Sequence, residues 1–149
     1  MAKPRVYPPI YLFASILIMI GLHKLWPLEI WIVAPWRYAG IALMAAGLAV
    51  VLRVAAIFRS RETTIRPLEE SAALVTEGPF RWSRNPIYVG MMAALAGVGI
   101  LLGSLAPFLV LPVFFGIISL RFVRGEERML EQTFGDSYRE YRRRVRRWL

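Results

Sequence analysis

The stretch Gly78-Pro-Phe-Arg-Trp-Ser-Arg-Asn-Pro-Ile-Tyr-Val-Gly90 lies where a basic polar segment changes into a long apolar run. Asn85-Pro86 predicts a helix start, with Asn85 at the N-cap and Pro86 at the first helical position. The backbone amides of such a start are unpaired and carry the positive end of the helix dipole, so the stretch suits an anionic group. Arg81 and Arg84 add positive charge. Arg, Trp and Tyr are also typical of a membrane interface, so an interfacial anchor is the alternative interpretation.

The composition predicts an integral membrane protein with one all-α domain over residues 1–149. The chain is 57% hydrophobic, its mean hydropathy is +0.49, and the apolar residues occur in long blocks. It contains no cysteine and a single histidine, His23. These counts exclude a disulfide framework, a Ser-His-Asp triad and a zinc site of the usual kind, so we expect no metal.

The apolar runs predict about four transmembrane helices, each near the ~20 residues that a crossing needs. The two-residue joint Gly103-Ser104 makes the third and fourth an antiparallel hairpin. Small residues on the second and third helices predict close helix contacts. A short interfacial helix is expected over residues 68–76. The predicted transmembrane helices cover residues 10–25, 38–58, 86–102 and 105–123.

A polar tail follows the fourth helix. Glu126 and Glu127 lie on a helix that Gly135 ends, and a second helix follows. Its apolar residues are spaced as one stripe, and six arginines fill the other faces. We therefore expect a basic amphipathic helix that lies on anionic lipids. The stripe consists of Tyr138, Tyr141, Val145 and Trp148.

The distribution of positive charge predicts the orientation in the membrane. With four helices and both termini cytoplasmic, 17 of the 19 Lys and Arg residues lie on the cytoplasmic side, which is the usual bias. The same arrangement favours anionic lipid over nucleic acid as the partner of the net +9 charge. It also places the 78–90 stretch and the Glu126-Glu127 pair on one side of the membrane.

The predicted hairpin brings Tyr88 near Glu127, because the cytoplasmic ends of its two helices are neighbours. A site with arginines, glutamates and aromatic walls suits a zwitterionic cofactor with a ring, and S-adenosylmethionine has those parts. Composition alone does not select this cofactor. The alternative is that Glu126 and Glu127 form a solvated pair that balances nearby arginines.

Two sequence blocks resemble the signature of the isoprenylcysteine carboxyl methyltransferase and phospholipid methyltransferase superfamily. The first is Leu74-Val-Thr-Glu-Gly-Pro-Phe-Arg-Trp-Ser-Arg-Asn-Pro-Ile-Tyr-Val-Gly90. The second is Arg124-Gly-Glu-Glu-Arg-Met-Leu130, followed by Phe134-Gly135, Tyr138, Tyr141 and residues 145–148. The blocks occur in the expected order and spacing and define cofactor-binding regions at 74–90 and 121–148.

The resemblance implies a membrane methyltransferase, expected in a prokaryotic inner membrane, that uses S-adenosylmethionine. Its cofactor would lie in a cytoplasmic pocket between the two blocks, and a lipophilic substrate would enter from the bilayer. Many members have His where this chain has Asn85, which favours a binding role there over a general base. The cofactor-binding residues implied are Val75, Gly78, Pro79, Arg84, Asn85, Pro86, Tyr88, Glu126 and Glu127.

Methyl transfer is an in-line displacement that depends mainly on positioning. A carboxylate or thiolate acceptor needs no base, whereas an amine must lose a proton, for which Glu127 is the candidate. Arg121 or Arg124 would steer an anionic substrate head.

Two other functions remain open at this stage. Membrane sterol reductases, which use a nicotinamide cofactor, resemble the superfamily over their C-terminal part. A non-enzymatic membrane adaptor that binds lipid through its basic tail would need only charge and hydrophobicity.

Overall fold

The computed structural model describes residues 7–61 and 73–149, and over these ranges its regular elements are helices joined by irregular connectors, with one isolated β-bridge between Ile30 and Ser104. The predicted all-α membrane fold is confirmed. Residues 68–72 of the predicted interfacial helix lie outside the described ranges, and residues 74–76 have irregular backbone. The helices are α1 (Pro8–Leu25), α2 (Ala39–Ser60), α3 (Pro86–Leu102), α4 (Val110–Ile118) and α5 (Arg124–Arg144).

Four apolar stretches run back and forth across the fold. Within the described ranges, Pro8–Leu25, Trp36–Ser60 and the continuous run Ala106–Arg144 are long and apolar enough to cross a membrane. Helix α3 is apolar but shorter, at 17 residues. Between α4 and α5 the run passes through a π-helical turn at Ser119–Val123. The starts of α1 and α3, the end of α2 and the start of α5 therefore meet at one end of the fold, which we call the cavity end.

Glycines allow α2 and α3 to pack closely. A Cβ placed on Gly90 would lie 2.7 Å from the carbonyl oxygen of Gly47, and one on Gly97 would lie 2.6 Å from that of Gly40. Real Cβ atoms do not come this close to backbone, so a larger residue would force the helices apart. The predicted small-residue contacts are thus present, and they join α2 to α3.

The opposite end of the fold is closed by backbone pairing. The α1–α2 connector meets the α3–α4 joint, where the Trp31 N–H donates to the Gly103 carbonyl at 3.0 Å. The Leu105 N–H donates to the Glu29 carbonyl at 2.9 Å. His23 Nδ1 lies 2.7 Å from Oγ of the buried Ser104. The single histidine therefore has a structural partner far from the cavity end.

The structure corrects the predicted C-terminal stripe. Gly135 interrupts α5 as expected, with φ +51°. The helix ends at Arg144, however, and Val145 is extended, so Val145 and Trp148 do not continue a helical stripe. Tyr138 and Tyr141 are buried in the protein core, which leaves them unavailable to a lipid surface. Residues 145–149, here called the strap, turn back because hydrogen bonds to residues 83–85 replace further helix.

Candidate functional site

A cavity of about 450 Å³ lies at the cavity end, within the usual size range of ligand pockets. It is bounded by the start of α1, the end of α2, residues 73–91 and α5, from its first turns to Tyr141. Its lining is largely apolar, with polar groups gathered on the side where the two sequence blocks meet. The apolar lining includes Val51, Phe58, Leu74, Phe80, Met91 and Leu130.

A partly buried ion-pair cluster occupies the polar side. Arg84 Nη1 lies 2.9 Å from Oε1 of Glu127, and the two side chains are only 9% and 11% exposed. Arg147, on the strap, donates from Nε to Oε1 at 3.1 Å and from Nη2 to Oε2 at 2.7 Å. Two guanidinium groups thus share one carboxylate beside the cavity.

Arg84 retains a free donor. Its Nη1 also lies 3.2 Å from the Tyr138 hydroxyl, but its Nε is buried and has no partner in the described part of the chain. Buried donors are almost always satisfied, so the unpaired Nε shows that the donors of this cavity-lining arginine are not all used within the described part of the chain.

Glu126 forms a separate contact. The Tyr88 hydroxyl donates to its Oε1 at 2.7 Å, joining α3 to α5. The adjacent glutamates therefore have different partners: Glu127 is neutralised by arginines, whereas Glu126 accepts from a neutral hydroxyl. Glu126, whose carboxylate has no cationic partner among these contacts, is therefore the better partner for a cationic group of a ligand.

Helix α3 begins where predicted, but Asn85 does not cap it with its side chain. Pro86 is at the first helical position and Asn85 is the N-cap residue. The Asn85 side-chain nitrogen instead donates to the Arg147 carbonyl at 3.0 Å. The Asn85 side chain therefore ties the strap to the start of α3.

Seven of the predicted cofactor-binding residues line the cavity: Val75, Arg84, Asn85, Pro86, Tyr88, Glu126 and Glu127. Gly78 and Pro79 do not line it and form a 3₁₀ turn beside it. Gly78 has φ +59°, a left-handed backbone conformation that favours glycine. Next to the turn, Glu77 pairs with Arg61 at 2.9 Å, and the hydrogen bond from Arg61 lowers the pKa of the Glu77 carboxyl.

The structure does not bring Arg121 and Arg124 to the cavity. Both are exposed, and Arg121 Nη1 donates to the Tyr11 hydroxyl at 2.9 Å. Their role in steering a substrate stays a prediction. Within the described ranges, no group of three or more His, Cys, Asp or Glu residues could hold a metal ion.

Sequence reasoning missed several residues of the site. Arg147 contacts Glu127 although it lies in a run of arginines that indicated only a basic helix face. Tyr138 and Tyr141 line the cavity, and the Tyr141 hydroxyl donates to the Phe80 carbonyl at 2.7 Å. The spacing of the two tyrosines indicates that they share one helix face, but it does not indicate what that face packs against. The start of α1 also lines the cavity, and no motif marks it.

Comparison with known proteins relates most of the chain to a methyltransferase family. Residues 36–137 match the family model for phospholipid methyltransferase. Over 72 residues the chain is 37% identical to the cobalt-zinc-cadmium resistance protein CzcN of Cupriavidus metallidurans, covering 48% of this chain and 33% of the relative. It is 35% identical over 72 residues to the protein-S-isoprenylcysteine O-methyltransferase of Schizosaccharomyces pombe, covering 48% and 30%. The matches thus span about a third of these relatives' length.

The fold also resembles a solved structure. The eukaryotic intramembrane Ras methyltransferase ICMT (isoprenylcysteine carboxyl methyltransferase) aligns with a TM-score of 0.66 and 23% identity. The alignment covers 92% of this chain and 50% of that protein. At this identity the likeness shows a shared fold.

Proposed function

Because the chain belongs to the phospholipid methyltransferase family, we propose that it is a membrane methyltransferase that uses S-adenosylmethionine to methylate a lipophilic acceptor. The observation that carries this proposal is the meeting of both sequence blocks at one cavity. Block one supplies Arg84 and Tyr88, block two supplies Glu126 and Glu127, and the remaining walls are apolar.

The donor set fits the cofactor. Arg84, which lines the cavity and whose Nε has no partner in the described part of the chain, suits the cofactor's carboxylate. Glu126 suits its ammonium group or its ribose hydroxyls. Aromatic side chains at the wall suit the adenine ring and the sulfonium, and Phe58 and Phe80 are stacked there at 5.5 Å between ring centroids.

The cofactor, when bound, supplies an activated methyl group, and the chain's residues hold the reactants and exclude water. Both oxygens of Glu127 already accept hydrogen bonds from guanidinium groups, so Glu127 is poorly placed to remove a proton. This favours an acceptor that is already anionic, a carboxylate or thiolate, over an amine.

The apolar lining supports a substrate that arrives from the bilayer. Val51, Ala55 and Phe58 of α2 and Pro8 and Pro9 of α1 line the cavity on helices that are apolar enough to lie in lipid. We propose an inner-membrane location in a prokaryote with both termini cytoplasmic, and contact between the arginines near the C-terminus and anionic lipids.

A ligand-dependent unfolding experiment tests the proposal. The purified protein in detergent is heated with S-adenosylhomocysteine or with NADPH. A ligand at 100 times its Kd stabilises the folded state by about 2.7 kcal/mol, which raises the unfolding temperature measurably. We expect stabilisation by S-adenosylhomocysteine alone. Stabilisation by NADPH alone would indicate a reductase, and by neither ligand an adaptor. Transfer of labelled methyl from the cofactor into a lipid extract would then identify the acceptor class.

A further inference from the structure

We propose that Arg147 is a positioning residue: it occupies Glu127 so that Arg84 keeps its donors free for an anionic group of the ligand. This inference rests on the proposed function, because it assigns a role within the same cofactor cavity. It concerns a residue that lines no part of the cavity itself and acts through Glu127.

The backbone of the strap fixes Arg147 in place. The Arg84 N–H donates to the Arg146 carbonyl at 2.9 Å, and the Asn85 side chain donates to the Arg147 carbonyl at 3.0 Å. Ser83 Oγ donates to the same Arg147 carbonyl at 3.2 Å. Three consecutive residues before α3 thus hold the strap, and the Arg147 side chain starts from a constrained position.

The side chain of Arg147 then determines how Glu127 is shared. It binds both carboxylate oxygens, at 3.1 and 2.7 Å, whereas Arg84 reaches only Oε1, through Nη1. Arg84 is thereby kept to a one-nitrogen contact, and its Nε stays unpaired in the described part of the chain. Without Arg147, Oε2 would be free to complete a two-bond pair with Arg84, a geometry that arginine and carboxylate favour.

Loss of Arg147 therefore has one main consequence for an anionic ligand. Arg84 donors turn toward Glu127, which opposes binding of a carboxylate. The same change does not affect a ligand that has the same ring system but lacks the carboxylate.

That difference defines the experiment. Binding of S-adenosylhomocysteine and of 5′-methylthioadenosine, which lacks the amino-acid part, is measured by calorimetry on the full chain in detergent. We expect Arg147→Gln to weaken S-adenosylhomocysteine binding about tenfold and to leave 5′-methylthioadenosine binding unchanged. Arg146→Gln is the matched control, since Arg146 is exposed and contributes its backbone carbonyl to Arg84. We expect it to change neither affinity.

A double-mutant cycle isolates the action through Glu127. In the Glu127→Gln background, Arg147→Gln should have little further effect on S-adenosylhomocysteine binding. Additive losses, equal weakening of both ligands, or unchanged binding of S-adenosylhomocysteine would each overturn the proposal. If Arg147→Gln does not fold, Arg147→Lys gives the same test, because it keeps the charge but loses the two-bond geometry. Failure of the wild type to bind S-adenosylhomocysteine would instead overturn the proposed function.

Discussion

The Tyr88 hydroxyl donates a 2.7 Å hydrogen bond to Oε1 of Glu126, which joins the first turn of α3 to the first turn of α5. The two residues belong to different sequence blocks and both line the cavity. Next to this contact, Glu127 pairs with Arg84 of the first block. Two neighbouring contacts therefore connect the blocks: a hydrogen bond from a neutral hydroxyl and an ion pair. Each can be tested separately.

Tyr88→Phe removes the hydroxyl that Glu126 accepts from and keeps the ring. Because a partly buried carboxylate loses a hydrogen bond, we expect a loss of about 1–2 kcal/mol in stability. Affinity for S-adenosylhomocysteine should also change, since Glu126 is no longer held in place. Thermal unfolding and calorimetric titration measure the two effects.

Tyr11→Phe is the control for this prediction. Tyr11 also uses its hydroxyl in a contact between α1 and a distant residue, Arg121, but it does not line the cavity. We expect its ligand affinity to equal that of the wild type. Equal affinities in Tyr88→Phe and Tyr11→Phe would contradict a role for the Tyr88–Glu126 contact in binding.

Glu127→Gln leaves two guanidinium groups without their shared carboxylate. Breaking a buried ion pair costs about 3–5 kcal/mol, and the 47% exposure of the Arg147 side chain reduces this to roughly 2–4 kcal/mol here. We expect lower stability together with reduced cofactor affinity and turnover, measured by unfolding, titration and methyl transfer.

Glu131→Gln is the matched control for Glu127→Gln. Glu131 also pairs with two arginines of α5, Arg139 and Arg142, but it lies outside the cavity and its partners are about half exposed. Exposed pairs of this kind contribute about 0–1 kcal/mol, so binding and turnover should stay unchanged. Full cofactor affinity and turnover in Glu127→Gln would show that the site is wrongly assigned.

The sequence predicts α3 well because both of its ends carry strong local signals. Asn85-Pro86 starts it and Gly103, with φ +81°, ends it, and the observed helix has the predicted bounds. The family blocks place both Arg84 and Glu127 at the site. They do not predict the direct contact between the two side chains, because sequence spacing does not specify which side chains pair across a fold.

The strap shows what local patterns miss. The spacing of Tyr138, Tyr141, Val145 and Trp148 continues the helical period, yet the helix stops at Arg144. Hydrogen bonds from residues 83–85 and packing of Trp148 on Phe115, at 4.8 Å between ring centroids, favour the extended path. These contacts are distant in sequence, so periodicity alone does not reveal them.

Gly47→Ala tests the contact between α2 and α3, two of the helices that bound the cavity. A Cβ at this position would lie 2.9 Å from the Ala94 nitrogen and 3.2 Å from the Ala93 Cβ, and it would meet the Gly90 carbonyl oxygen. Because the backbone of α3 must move away, we expect a loss of about 1–3 kcal/mol in stability. Gly116→Ala is the control, since nothing lies within 4 Å of the added methyl group, and it should be neutral or slightly stabilising. Thermal unfolding in one detergent compares the two variants, and equal unfolding temperatures would show that α2 and α3 tolerate a wider spacing.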